Sequence, residues 1–572
     1  MRVPFLLLAW SPDRRAEAAA LSTNLPSWSC RAEGQGWVLL SPSDAHISEV
    51  EGGAIAIGVV FPRPDGGLPR GVLPTGADAS QRLLEDFWGG YVAILDQADH
   101  IEVLRDPSGA APAYWVARDG LTAVCSGLDE LVELGVLTPR VDWTAVADMV
   151  AYPQVRAAQT GLETVRELLP GQLLRIGSGE PEGLALSWSP WRFTRRAIAL
   201  TDRAAATEAL RATVRSCVAA WASEYSTILL ELSGGLDSSI IAASLRLAGR
   251  SVDCVNIVTP TAEGDERRFA RLAAEGHRLE ERPVFARGVD VRRARVGRLP
   301  RPGAHALLRP IETAFVESAR AVGAEAFFSG LGGDNVFCSL SSAAPASDAL
   351  LTAGPGARFF KALGDLSQLH ACTTWTAGQL ALRKAFRSGS MGRLPADTSF
   401  LTAGRASARP PHHPWMAAPT GALPGKHDHI RSLLLAQAYL DRYEHAAQGP
   451  VVFPLLAQPI VELCLRIPTW LWIADGQNRA IARDAFDDML PRAIVRRRSK
   501  GGLNAFVAAV FEDNLQPLAD QLIGGRLDRA GLLDVSAVRA VLANPGAASG
   551  KDLFRLLQLA DVEAWARTWT VD

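Results

Sequence analysis

The sequence predicts an α/β protein: a β-rich N-terminal domain, then a doubly wound parallel sheet with a helical C-terminal part. Two observations predict it. Over the first ~195 residues, short apolar and β-branched runs are separated by Gly, Pro and Asp, the texture of an antiparallel sheet-layered domain. From Asp202 onward, strand-like runs alternate with helical spacing, which requires crossovers and a parallel sheet. A third observation sets the scale, because 572 residues exceed what one core supports. Two domains are predicted, 1–195 and 200–572.

In chain order, MRVPFLLLAW reads as a strand. Its apolar run is short, Asp13, Arg14 and Arg15 follow directly, and no small-residue cleavage site marks a signal peptide. AIAIGVVF (54–61), YVAILD (91–96), IEVLRD (101–106), PAYWVA (112–117), LTAVCS (121–126) and PGQLLRI (170–176) read as further strands. SWSPWRFTRR (187–196) breaks the pattern as a linker. The spacing then predicts a helix over 204–223, a buried strand at STILLEL (226–232) and a helix at 238–249 ending on Gly249. SVDCVNIV (251–258) is the next strand, PIETAFVESARAVG (310–323) a helix and AEAFFSG (324–330) another buried strand. Residues 341–430 read as loops rich in Ala, Ser, Pro and Gly around helical pieces, with His412 and His413 in a solvated loop. The final ~140 residues read as largely helical.

Composition excludes several classes. Lys plus Arg (59) nearly balances Asp plus Glu (61), so no global basic field favours nucleic acid. No run approaches the ~20 apolar residues of a membrane span. Seven scattered cysteines without a CxxC pair argue against a disulfide framework or zinc site and suit a cytoplasmic location.

The chemistry concentrates in SGGLDSS (233–239). Gly234 and Gly235 let backbone N–H groups approach a phosphate, the following helix adds its positive dipole end, and Ser233, Ser238 and Ser239 add hydroxyl donors. No lysine sits inside the loop, so it is not the GxxxxGK[ST] signature, and Asp237 points to a magnesium ion on the phosphates. This stretch resembles the pyrophosphate loop of ATP pyrophosphatases, which adenylate a substrate. FFSGLGGDNVF (327–337) resembles the SGxGxDE segment of asparagine-synthetase-like enzymes. That resemblance implies ATP and Mg2+ as cofactors, magnesium held by Asp237 and Asp334, and Ser329 and Gly330 beside the nucleotide. It also implies Leu232 and Ile257 against adenine. GDERRFA (264–270) is either the family's acidic stretch or an ordinary acidic first turn. In RRRSKGG (496–502), Lys500 matches the superfamily's late lysine at the α-phosphate, with a solvated basic turn as the plainer reading. Lys500, Asp237 and Asp334 are thus the implied catalytic residues, and Leu232, Ser233, Gly234, Gly235, Asp237, Ser238, Ile257, Ser329 and Gly330 the implied ATP and pyrophosphate contacts.

Residues 87–131 resemble the glutamine amidotransferase half of asparagine synthetases, an Ntn-type αββα domain, with Arg105, Asp106, Gly109, Tyr114 and Ser126 in matching places. Those enzymes need a cysteine directly after the initiator methionine, and here position 2 is Arg2. The expectation is a degenerate domain without glutaminase. The family's Glu after the magnesium aspartate is Asn335.

The attacking amine must then come with the substrate. Two kinds of relative fit, β-lactam synthetases and lasso peptide cyclases. Leu331 stands where the former place a tyrosine, GLGGDNVF resembles the latter, and the loop-rich insert at 341–430 would suit a wide, peptide-sized cavity. The resemblance implies a cyclase that adenylates an Asp or Glu side chain of a core peptide and closes a macrolactam on its N-terminal amine. A precursor peptide, a leader peptidase and a leader-binding protein would be its partners. The alternatives are a β-lactam synthetase-like or ammonia-dependent asparagine synthetase-like enzyme, and a catalytically silent nucleotide- or peptide-binding scaffold. Glu312, His305 and Tyr443 with Glu444 are conceivable bases for the amine, with none assigned.

Overall fold

The computed structural model describes residues 3–570 except 44, 46, 51–53, 64–72, 77, 262–263, 293–297, 304–305, 387–393, 442 and 499–500. Its N-terminal part holds two six-stranded sheets whose strand pairs are all antiparallel. One has Leu6–Trp10 between Leu121–Cys125 and Trp37–Pro42; the other has Phe87–Asp96 between Ile101–Arg105 and Ala54–Pro62.

Period-2 alternation explains why these runs became strands buried on both faces. In the first strand, Leu7 and Ala9 face the second sheet, where they meet Ile55, Val92, Ile94 and Val103. Leu6 and Leu8 face the other way, into a cluster with Val146 and Val150 of the helix Trp143–Ala151. In Phe87–Asp96, Val92 and Ile94 line the intersheet core while Tyr91, Ala93 and Leu95 pack outward with Leu83 and Leu84 of the helix Ala79–Asp86. The layers are therefore helix, sheet, sheet, helix.

The C-terminal part is built on a five-stranded parallel sheet in the order Arg278–Pro283, Asp253–Val258, Ile228–Glu231, Ala326–Phe328, Val451–Val452. The first strand in sequence lies in the middle. The chain leaves it toward one edge through the helix Leu236–Leu247 and later returns to its other side after the helix Arg309–Val322. Adjacent strands whose connections diverge leave a crevice at their carboxyl ends, and in such sheets ligands bind there. The two motif loops, after Glu231 and after Phe328, flank that crevice.

The helix Arg203–Ala222 packs Leu210, Val214, Val218 and Trp221 into one apolar cluster with Phe61 and Trp88 of the N-terminal sheets. On the other side the C-terminal helix Gly550–Trp569 packs Leu556, Leu559 and Ala560 with Leu6, Leu8 and Tyr114. A buried ion network adds to this joint. Glu167 accepts from Arg105 at 2.7 Å and Arg156 at 2.6 Å and pairs with Arg301 at 2.7 Å, while Arg156 also pairs with Asp441 and donates to the Gln437 carbonyl at 3.0 Å. Burial by itself would raise Glu167, but Arg156, Arg301 and Arg105 outweigh it and hold the carboxyl below the usual glutamate range.

Three expectations are corrected. The stretch 187–196 is anchored by two buried indoles: Trp188 donates its indole N–H to Glu462 at 2.8 Å, and Trp191 donates to the Trp415 carbonyl at 2.7 Å. Aromatics that sequence reading took for linker punctuation are anchors, because an indole gains most when its N–H finds a partner. His413 is fully buried, its Nδ1 accepting the Trp415 N–H at 3.0 Å, and burial lowers its pKa to about 3; only His412 is exposed. The insert is mainly helical, with Ala344–Ala353, Ala357–Leu369, Thr374–Phe386 and Pro424–Gln437, and the first three share a separate small core around Phe359, Leu363 and Leu366. Among the described residues no helix is long and apolar enough to cross a membrane.

Candidate active site

The crevice opens into a cavity of about 430 Å³ lined from both motif loops, the strand Asp253–Val258, the segment around Arg479, and Ile494, Arg497, Gly501, Gly502 and Leu503. Leu232, Ser233, Gly235, Asp237, Ser238, Ile257, Ser329, Gly330 and Asp334 all line it. Leu232 continues the central strand, donating its N–H to the Val255 carbonyl at 2.9 Å, and its carbonyl accepts from Asn256 Nδ2 at 2.9 Å. Gly235 caps the helix Leu236–Leu247, whose first turn carries Asp237. Ser233 and Ser238 hydroxyls stand 3.3 Å apart across the loop. Such an N-terminus with open N–H groups and flanking hydroxyls is suited to phosphate.

Two residues of the loop stand outside the cavity lining. Gly234 takes φ +70° and lies so close to the next helix that a Cβ would stand 2.3 Å from the Phe269 carbonyl carbon, so it turns the loop against Arg267–Ala273. Ser239 is fully buried. Lys500 and His305 lie outside the described residues.

The two aspartates converge. Arg479 Nη1 lies 3.0 Å from Asp237 Oδ1 and 2.7 Å from Asp334 Oδ1, so two carboxylates from two strand ends share one cation. The loops are pressed together to do this: a Cβ on Gly333 would stand 2.4 Å from the Asp237 carboxyl carbon. Hard oxygens aimed at a common point are the donor set magnesium takes, with phosphate oxygens and water completing its shell. The residues therefore fit a magnesium ion.

Sequence reading missed the arginines. Arg479 opens the short helix Ala480–Ala485 in a left-handed conformation, φ +54°, which no pattern announces. Arg483, one turn on, donates to the Asn478 and Val495 carbonyls, and burial with Arg479 nearby lowers its pKa to about 10. Arg497 donates to the Gly234 carbonyl at 3.2 Å, pairs with Glu266 at 2.5 Å and lies over the Phe269 ring at 3.9 Å. Glu266 also accepts the Gly501 N–H at 3.1 Å. Glu266 is thus a latch that holds Arg497 and Gly501 against the loop. A visible hint was the Arg-rich run itself; its partner could be found only in three dimensions.

Residues 208–567, more than half of the chain, match the asparagine synthase family. The chain belongs to that family. It is also 28% identical over 229 residues to a carboxyethyl-arginine beta-lactam-synthase from Streptomyces clavuligerus, a match over 38% of this chain and 41% of that protein. This chain thus spans well under half the length of the curated relative it matches. Among solved structures, the allosteric regulatory enzyme of purine biosynthesis covers 49% of this chain and 74% of its own at 10% identity and TM-score 0.20. A glutamine phosphoribosylpyrophosphate amidotransferase from B. subtilis complexed with ADP and GMP covers 49% and 75% at 11% identity and TM-score 0.18. Scores this low say nothing about the fold.

The asparagine synthase match begins after the N-terminal sheets, whose own polar residues are engaged in structure. Arg105 is fully buried, donating to the Ala111 carbonyl at 2.7 Å and the Gly109 carbonyl at 2.9 Å besides Glu167. Asp106 accepts the Ser108 N–H at 2.7 Å, and Ser126 accepts the Phe5 N–H at 3.2 Å. Tyr114 donates to Asp441 at 3.2 Å across the joint. Of the conceivable bases, Glu312 holds His445 Nδ1 at 2.6 Å, Glu444 lies 3.7 Å from Arg309, and Tyr443 lines the cavity.

Proposed function

We propose that this chain is an ATP-dependent ligase of the asparagine synthase family that activates a carboxylate as its adenylate and closes an amide with an amine of the same substrate. The observation that carries the reading is the convergence of Asp237 and Asp334 on one point beside the SGGLDSS loop. The loop's N–H groups and the Ser233 and Ser238 hydroxyls hold the β- and γ-phosphates. Asp237 and Asp334 would hold a magnesium ion, which would supply charge neutralisation on the phosphate oxygens. Arg479, which pairs with both aspartates, adds a further positive charge beside the loop. The substrate carboxylate attacks the α-phosphorus, the bond to pyrophosphate breaks and pyrophosphate leaves. The amine nitrogen then attacks the acyl carbon, the bond to AMP breaks, and the amine gives up a proton. Lys500 and the arginines stabilise charge on the phosphates in both steps.

The finer reading is macrolactam closure within a peptide, an Asp or Glu side chain joined to the N-terminal amine, as in lasso peptide cyclases. Three features support it. Arg2 stands where glutamine-using relatives place a cysteine. Leu331 stands in the cavity wall. Asn335, following the magnesium aspartate, donates to the Ser432 carbonyl at 2.7 Å, so it braces the loop and leaves no carboxylate there for ammonia chemistry. A leader peptidase and a leader-binding protein are the partners this reading requires. The beta-lactam-synthase match favours a second reading, closure of a small ring in an amino-acid derivative.

The test is incubation of the protein with ATP, magnesium and synthetic peptides bearing a free α-amine and an internal Asp or Glu. The reading expects AMP, pyrophosphate and a peptide lighter by one water. Asparagine formed from aspartate and ammonia, or ring closure confined to small amino-acid derivatives, overturns it.

A further inference from the structure

Among the described residues, four carboxylates line the cavity: Glu231, Asp237, Glu266 and Asp334. Three have an arginine: Asp237 and Asp334 share Arg479, and Glu266 holds Arg497. Glu231, the last residue of the central strand, differs. Among the described residues its hydrogen-bond partner is the Ser329 hydroxyl, which donates to Oε2 at 2.6 Å, and no cation pairs with it. The charges of the cavity are therefore segregated. The loop end carries N–H groups, hydroxyls and arginines suited to phosphate, while the wall of Glu231, Ile311 and Tyr443 presents a carboxylate, an apolar side chain and a phenol. Behind it, the buried pair of Glu312 and His445 is packed between Phe315, 5.3 Å from the imidazole ring, and Phe327 at 4.3 Å. A half-buried carboxylate whose neighbouring imidazole, His445, is already bound to Glu312 is costly unless a ligand supplies a counter-ion. A polyphosphate avoids this wall; a primary ammonium completes it.

We propose that Glu231 is the receptor for the attacking amine: it binds the substrate's primary ammonium as a cation and accepts the proton that leaves before the nitrogen attacks the adenylate. The step balances, with the N–H pair moving onto nitrogen as the proton goes to the Glu231 carboxylate. Burial pushes the Glu231 carboxyl above the usual glutamate range, which brings its proton affinity nearer that of an amine. Ser329 fixes its orientation and links it to the loop that carries Asp334. This assignment rests on the amide-forming reading for its second step but not for its first.

The binding step is tested alone, by calorimetric titration of glycinamide, charged at neutral pH, with acetamide as the uncharged control. Wild type binds glycinamide and not acetamide, and Glu231→Gln binds it at least about ten-fold more weakly, the loss expected for one charged hydrogen bond. Glu231→Leu, of similar size, is the second variant should the first fail to fold. Equal glycinamide affinity in wild type and variant, or no binding to wild type, overturns the proposal. The second step is read with the amine-bearing peptides above: Glu231→Gln lowers ring closure at least about 30-fold more than it lowers ATP–pyrophosphate exchange, and Glu231→Asp recovers part of the loss. Equal loss of both rates overturns the proton-transfer role. If no peptide supports exchange in wild type, the amide-forming reading fails, and the glycinamide titration alone decides the receptor.

Discussion

Replacing Glu266 with alanine tests whether the latch over the loop matters for nucleotide binding. Glu266 holds Arg497 at 2.5 Å, with the two side chains only 17% and 9% exposed, and accepts the Gly501 N–H at 3.1 Å. A charged hydrogen bond of this kind contributes about 1.5–3 kcal/mol, and a backbone N–H to a carboxylate about 1 kcal/mol more. Discounting for partial exposure, about 2 kcal/mol of local order is lost. The segment that includes Gly501 must then be ordered when nucleotide binds. Since 1.4 kcal/mol is a factor of ten, affinity for magnesium–ATP falls about 30-fold. Calorimetric titration measures the affinity, and hydrogen exchange at Gly501–Leu503 reports the loosened segment. The helix Leu236–Leu247 keeps its protection, because its packing does not pass through Glu266. Affinity within threefold of wild type together with unchanged exchange at Gly501 would refute the latch.

Asp237→Ala removes one of the two converging carboxylates; AMP formation falls below detection while circular dichroism stays that of wild type, and wild-type AMP production would refute the site. Gly333→Ala places a Cβ 2.4 Å from the Asp237 carboxyl carbon, so magnesium–ATP affinity drops at least about ten-fold in calorimetry with the fold retained. Glu167→Gln takes the carboxylate from the buried guanidiniums of Arg105 and Arg301, leaves Arg156 with the Asp441 carboxylate alone, and lowers stability by about 3–5 kcal/mol in urea denaturation followed by tryptophan fluorescence. Glu167 and Asp441 both have folded-state pKa values below their ordinary ones, so their contribution is present above the ordinary carboxylate range and is lost as pH falls through and below it. The midpoint of urea denaturation therefore falls between pH 5 and pH 3 in wild type and falls less in Glu167→Gln.

Where local pattern decides structure, the sequence was legible. Alternation in LLLAW and YVAILD made strands buried on both faces, because neighbouring side chains must point to opposite layers. The run ILLE before SGGLDSS could only be a strand feeding a phosphate-type turn, and Asp237 and Asp334 were visible because both lie within a few residues of a strand end. The stretch 187–196 and His413 misled for the opposite reason. Pro, His and Trp read as loop residues locally, and their burial depends on Glu462 and Trp415, supplied from elsewhere in the chain.

By itself, then, the sequence determined the layering, the strand–loop–helix unit and the two carboxylates, since each follows from side-chain period or from a short-range turn. Only the tertiary structure decided what those carboxylates face. Arg479 lies 242 residues from Asp237, Arg497 lies 231 from Glu266, and Ser329 lies 98 from Glu231. Electrostatic pairing depends on distance in space, and folding alone brought cations to Asp237, Asp334 and Glu266 and, among the described residues, gave Glu231 the Ser329 hydroxyl.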